Sequence, residues 1–310
     1  MLQPTTSTST RFGISCAIGA QVLWGCFPLY IYATKTKVDA FDFVAHRAFW
    51  SFALLAGLTV LVRFYRHPAF PTIEQIKQTI SSGRAMVFGL AAVLIAINWV
   101  VFVWAVTHGR AMDASLGYYI CPQVVVLLGV IFEKERLSRI QWAAVFLAAC
   151  GVAYMARSTA GIPWPALLVA GSFGLYALVK KRVSESALTG LTLETSFMLI
   201  PAIAFLAYRS TQSSEAVLTD SWLVNLLLLG SGIATVAPLA LYSTAVKHIP
   251  LSTVGLLQFV GPTLQVMISI FVFGEPFDSS RLIGFVFVWV GVALYLVALN
   301  RRRTMAAVSK

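Results

Sequence analysis

The sequence predicts an all-α polytopic membrane protein of ten transmembrane helices arranged as two inverted five-helix repeats. Composition is the first observation behind this. Of 310 residues, 58% are hydrophobic and only 11% charged, too little charge for a soluble chain of this length to cover its surface. Second, apolar stretches recur about every 30 residues along the whole chain. Each is close to the roughly 20 residues a helix needs to cross the hydrocarbon layer, so a single anchored domain is excluded. Third, residues 105–153 match residues 245–293 at a constant offset of 140, with ten identities in 49 positions and coincident hydrophobic profiles.

The expected spans are 12–33, 42–62, 84–106, 113–132, 140–157, 163–180, 190–208, 222–245, 251–273 and 281–299. The first follows a Thr/Ser-rich segment with one cation, Arg11, and no small-residue cleavage motif, so it is expected to stay in the membrane. It carries Trp24, Gly25 and Pro28; the second opens with Asp42, His46 and Arg47; the third holds Asn98 and Trp99 beside Phe102 and Trp104. The fourth and fifth contain the first copy of the repeat, including Tyr118, Pro122, Gln123, Gly151 and Val152. The sixth has Tyr176 near Gly171 and Gly174, and the seventh has Glu194 early in its run. The eighth to tenth hold the second copy, in which Gln258, Pro262 and Thr263 pair with Tyr118, Pro122 and Gln123.

The repeat begins at the ends of spans three and eight, five spans apart, so the two copies run in opposite directions through the bilayer. Inverted repeats of this kind are common in secondary transporters, because two such halves can exchange inward-facing and outward-facing arrangements. The division is therefore 1–11 N-terminal tail, 12–157 first repeat, 158–299 second repeat and 300–310 C-terminal tail. With the N-terminus inside, 16 of the 23 Lys and Arg residues fall on the inside and six opposite, with Arg47 inside a span. The bias predicts a cell inner-membrane protein with both termini cytoplasmic.

The net charge of +11 lies in short groups between apolar runs, a placement suited to anionic phospholipid and not to nucleic acid. Cys16, Cys26, Cys121 and Cys150 lie in apolar runs without metal-ligand spacing and are expected to be small core residues. No HExxH, Walker A loop or dinucleotide fingerprint is present, so no cofactor or metal is expected.

Several short blocks carry a family likeness: Trp24-Gly25, His46-Arg47 with Trp50-Ser51, Asn98-Trp99, and Ala114-Ser115-Leu116-Gly117-Tyr118-Tyr119. Pro250-Leu251-Ser252-Thr253, Gln258-Phe259, Pro262-Thr263-Leu264-Gln265 and Phe273-Gly274-Glu275-Pro276-Phe277 add to it. Over residues 12 to 299 the chain resembles the RarD-type branch of the EamA family, in the drug/metabolite transporter superfamily. The resemblance implies ten helices, cytoplasmic termini, a central cavity and metabolite or drug export, the RarD name being tied to chloramphenicol sensitivity. The expected function is a secondary transporter, an exporter of small organic solutes such as amino acids or amphipathic compounds, and not an enzyme. Proton or counter-solute coupling and a monomer or weak homodimer complete the expectation.

The candidate solute-binding residues are Trp24, Arg47, Asn98, Trp99, Tyr118, Gln123, Tyr176 and Gln258. Arg47 is a cation inside an apolar span, where it faces a cavity, pairs with a carboxylate or snorkels to the interface. The Asn98 amide orients a solute or fastens helices together. Pro122 and Pro262 each remove a backbone donor and are expected to bend their helices. Asp113 and Glu194 are the candidate proton-responsive groups, and Glu135 and Glu275 are expected to cap or pair in loops. Two alternatives stay open: a membrane enzyme or lipid-handling protein using Asp42, His46 and Arg47, and a structural or sensory membrane protein.

Overall fold

The computed structural model describes residues 7–34, 38–65, 72–157, 163–212, 219–274 and 279–308. The described residues form thirteen helices and no strand: α1 (Ser7–Gly25), α2 (Phe27–Thr34), α3 (Ala40–Tyr65), α4 (Ile73–Ser81), α5 (Ala85–Thr107), α6 (Ala111–Phe132), α7 (Arg139–Ala156), α8 (Trp164–Arg182), α9 (Ala187–Ser210), α10 (Trp222–His248), α11 (Leu251–Leu257), α12 (Val260–Phe271) and α13 (Ser279–Val308). Among these residues nine stretches are long and apolar enough to cross a membrane. Large side chains such as Phe146, Ile200, Trp222 and Phe271 are more than two-thirds exposed, which suits a surface solvated by lipid.

Each expected span falls on a helix or a helix pair, with three differences. The 12–33 span divides at Cys26 into α1 and α2, and the 251–273 span divides at Gln258 and Phe259 into α11 and α12. Both breaks are proline effects: Pro28 and Pro262 lie in the first turn of the second piece, where a missing N–H is tolerated. The sixth span forms α8, but it is not among the nine apolar stretches because its last turn carries Lys180, Lys181 and Arg182. Finally, α4 is a short amphipathic helix between the second and third spans, started by a Thr72/Gln75 capping box.

In the packing α1 lies on α10, α5 on α8, α3 on α9, α7 on α13, and α6 against both α8 and α11. Glycines set the closest approaches. A Cβ at Gly151 would stand 2.5 Å from the Gly284 carbonyl oxygen, and one at Gly291 would stand 2.7 Å from that of Ala144. The Gly151/Gly291 identity of the repeat is thus the small-residue contact that seats α7 on α13. The His108/His248 identity also has a local cause. Each ring Nδ1 sits 2.8 Å from the carbonyl four residues back, Trp104 or Thr244, at the end of its helix.

Candidate functional site

A cavity of about 170 Å³ lies between helices of the two sequence halves, with Trp24, Arg47, Asn98, Trp99 and Tyr118 on one side and Phe173, Gln258 and Gln265 on the other. Its wall is built from the end of α1, α2, the start of α3, the second half of α5 and the first half of α6, and is closed by Phe173 of α8, Leu239 of α10 and the α11–α12 segment. The first-half segments adjoin the α2–α3 and α5–α6 connections, whereas Phe173, Leu239 and Gln258 lie in the middle part of their spans, so the cavity extends from that end of the bundle toward its middle.

Arg47 is the one charged residue lining it. Its guanidinium carbon lies 4.7 Å from the Phe27 ring centroid and 4.2 Å from that of Trp99, within range of cation–π attraction. Its Nε donates to Thr235 Oγ1 at 3.0 Å, bridging α3 to α10. Asp42, one turn earlier on α3, is engaged elsewhere: Arg209 on α9 donates to both carboxylate oxygens, at 2.8 and 2.9 Å. Among the described residues no carboxylate lies within ion-pair distance of Arg47. Asp42 and Arg47 therefore do not form the shared catalytic cluster that an enzyme would need.

The polar walls are held by defined bonds. Asn98 Nδ2 donates to the Val169 carbonyl at 2.8 Å, with Ser172 Oγ at 3.5 Å, so this amide does fasten α5 to α8 while lining the cavity. Gln258 Nε2 donates to Tyr242 Oη at 2.7 Å. Trp24 meets Phe173 edge-on with centroids 5.5 Å apart. Pro28 leaves the Trp24 carbonyl without its helical donor, and Gln265 Nε2 fills that role at 3.1 Å, binding α12 to α1. Tyr118 packs on Phe102 at 5.3 Å.

Two expected wall residues lie elsewhere. Gln123 does not reach the cavity: it sits about 200° around the helix from Cys121, which does. Tyr176 is fully buried behind Phe173, with its hydroxyl donating to Glu194 Oε2 at 3.0 Å. Glu194 is not a cavity group either; it accepts from Lys180 Nζ at 2.5 Å, and both side chains are almost fully buried. Lys180, the last residue of the expected sixth span and counted among the inside cations, thus lies inside the bundle. Pro122 leaves α6 a single helix, and its carbonyl approaches α11 so closely that a Cβ at Gly255 would stand 2.6 Å away. The Asp113 side chain and Glu275 lie outside the described residues. Gln21, Phe27, Thr235 and Gln265 were not anticipated, although Gln21 and Gln265 were visible as amides within apolar runs.

The opposite end of the bundle is tied shut. Besides Lys180 and Glu194, Lys181 Nζ donates to the Ile249 carbonyl at 2.8 Å, and Lys247 donates to that of Glu185. Arg182 pairs with Glu133 at 2.8 Å, and Arg84 with Glu185 at 2.9 Å. Glu135 caps α11 across the bundle, accepting from the Leu251 and Ser252 amides at 2.6 and 3.0 Å. Among the four cysteines, Cys16 and Cys121 are buried, Cys150 is intermediate, and Cys26, at the α1–α2 break, is exposed.

The signature of the EamA-like transporter family matches the sequence twice, over residues 11–157 and 161–297. The chain belongs to that family. It is 40% identical over 288 residues to the uncharacterized transporter YojE of Bacillus subtilis, covering 92% of this chain and 94% of that one. It is 35% identical to protein RarD of Escherichia coli, covering 95% and 98%, and 27% identical to the chloramphenicol-sensitive protein RarD of Pseudomonas aeruginosa, covering 91% and 92%. A crystal structure of a protein only 17% identical aligns over 94% of this chain and 98% of its own with a TM-score of 0.63, a likeness of fold alone. This EamA-family member is a multi-pass helical membrane protein of a transporter family.

Proposed function

We propose that this EamA-family protein is a secondary transporter that exports small organic solutes by alternating access. In this reading residues 12–157 and 158–299 are two inverted five-helix halves, with α8 as the sixth span, added to the nine apolar stretches to make ten. The cavity carries the proposal: its single cation and its amides come from both halves and meet over aromatic surface, the composition of a site that must hold and release a small molecule. The packing supports the inversion. Matching spans five apart turns the α1–α10 contact into α8–α5, and the α6–α8 contact into α12–α1, each of which is present. The double family match points the same way.

The orientation that best fits the distribution of Lys and Arg puts both termini in the cytoplasm of an inner membrane. The cavity then adjoins the periplasm, and the tied end faces the cytoplasm. Single-cysteine labelling in intact cells tests this: positions 134 and 157 should label from opposite sides.

Flux into sealed proteoliposomes tests transport. A panel of amino acids, amphipathic metabolites and chloramphenicol, with and without a pH gradient, should yield at least one saturable, protein-dependent flux and reveal whether protons are coupled. Chemical conversion of a solute without flux would favour the enzyme reading.

A further inference from the structure

We infer that the solute carries a carboxylate seated on Arg47, attached to an apolar body about one ring in size. The inference rests on the transport reading of the cavity and names the class of solute it would take. The first ground is charge. Among the described residues Arg47 is the only charged one in the lining, and none of them offers it a counter-ion. An uncompensated cation in an apolar wall is unfavourable, and an anion entering the cavity relieves that.

Donor geometry gives the second ground. A guanidinium has five N–H donors. Nε is used on Thr235, whereas neither Nη has an acceptor among the described residues. Phe27 and Trp99 occupy the neighbourhood of the guanidinium, and ring attraction leaves its in-plane N–H groups free to donate. A planar fork of this kind matches a carboxylate with two parallel bonds. The Tyr118 hydroxyl, also in the wall and without a protein partner among the described residues, can add a third.

The remaining wall sets the rest of the solute. The cavity has no carboxylate to hold an ammonium group, and Arg47 repels one, so organic cations are disfavoured. The aromatic faces of Trp24, Trp99 and Phe173 supply apolar surface. A volume of about 170 Å³ suits one small body, since an apolar cavity of about 150 Å³ accommodates benzene.

The test uses the purified full chain and its intrinsic tryptophan fluorescence, to which Trp24 and Trp99 in the cavity wall contribute among eight tryptophans, titrated with phenylacetate, phenylacetamide and phenethylamine. Phenylacetate should bind at least about tenfold more tightly than its amide, the margin expected of charge-assisted hydrogen bonds, and phenethylamine most weakly. In Arg47→Gln, checked as monodisperse, the acid and the amide should bind equally. Arg47→Lys should keep the preference at reduced affinity, because it keeps the charge and loses the fork. Equal binding of acid and amide by the wild type overturns the inference, and so does a preference that survives in Arg47→Gln. A folded wild type with no saturable response to phenylacetate or to butyrate overturns it as well. If Arg47→Gln does not fold, the wild-type comparison and Arg47→Lys decide. Proteoliposome counterflow separates the two readings. Arg47-dependent acid binding without flux ends the transport reading alone, and flux that treats acid and amide alike ends the carboxylate inference alone.

Discussion

Lys180 and Arg47 are both cations within an apolar helical bundle, but Lys180 has a carboxylate at 2.5 Å and Arg47 has none among the described residues. The Lys180 pair is completed by the Tyr176 hydroxyl on the same carboxylate and has no access to solvent. Arg47 has two aromatic rings, one hydroxyl and an open cavity. The difference separates a charge that holds helices together from a charge left available to something that enters. Burial of an ionisable group does not by itself tell the two apart; the completeness of its partners does.

The largest expected effect is at the satisfied pair. Glu194→Ala leaves Lys180 buried without a counter-charge and should destabilise the fold by about 3–5 kcal/mol, seen as loss of folded yield and a lower melting temperature in detergent. Lys180→Met combined with Glu194→Leu should recover most of that loss, since a neutral pair of similar volume leaves no orphan charge. A Glu194→Ala protein as stable as wild type would erase the contrast.

Arg47→Met should do the reverse, leaving stability near or above wild type while lowering solute flux by at least about tenfold. Unchanged uptake kinetics in a well-folded Arg47→Met protein would return this residue to a packing role. Next come the neutral wall groups. Tyr118→Ala and Gln258→Ala should each weaken solute binding by about 1 kcal/mol and combine non-additively if both touch one ligand. Asn98→Ala should differ from them, because its amide already bonds Val169: it should lower stability by about 1–2 kcal/mol as well as weaken affinity. The smallest effect is expected at the rim, where Arg209 is 28% exposed. Asp42→Asn should change stability by no more than about 1 kcal/mol, and less at high salt.

Much of the fold was legible because hydropathy reports length, and length decides what can span a bilayer. The helix breaks at Cys26 and at Gln258 were less visible. Pro122 and Pro262 occupy matched positions, yet α6 continues through the first whereas the chain breaks just before the second. The residue before Pro262 is Gly261, where the first repeat has Cys121, and a Cβ at Gly261 would stand 2.6 Å from Gln21 Oε1, so the second copy also needs a small residue to seat α12 on α1. The site was legible residue by residue where a polar or charged group stood out in an apolar run, as with Arg47, Asn98 and Gln258. Gln123 and Tyr176 stood out equally but lie on other faces. A membrane helix contacts lipid on one side and apolar core on the other, so its pattern does not say which face meets a cavity. The pairing of Lys180 was not legible because it opens a run of three cations at a span end, although it is turned inward onto Glu194.

Both acid–base contacts of α9 lie near its ends, Glu194 toward one terminus and Arg209 fifteen residues on, about 22 Å along the axis. In the proposed two-half reading, the Lys180–Glu194 contact lies wholly inside the second half, between α8 and α9. The Arg209–Asp42 contact crosses from the second half to the first, between α9 and α3. In that reading the fully buried bond would stiffen one half, and the half-exposed one, with Asp42 buried and Arg209 partly open, would join the two. Pro201 lies on α9 between the two contacts, where its missing N–H lets the helix bend, so in the proposed reading α9 can hinge between a contact that stays within its half and one that joins the halves.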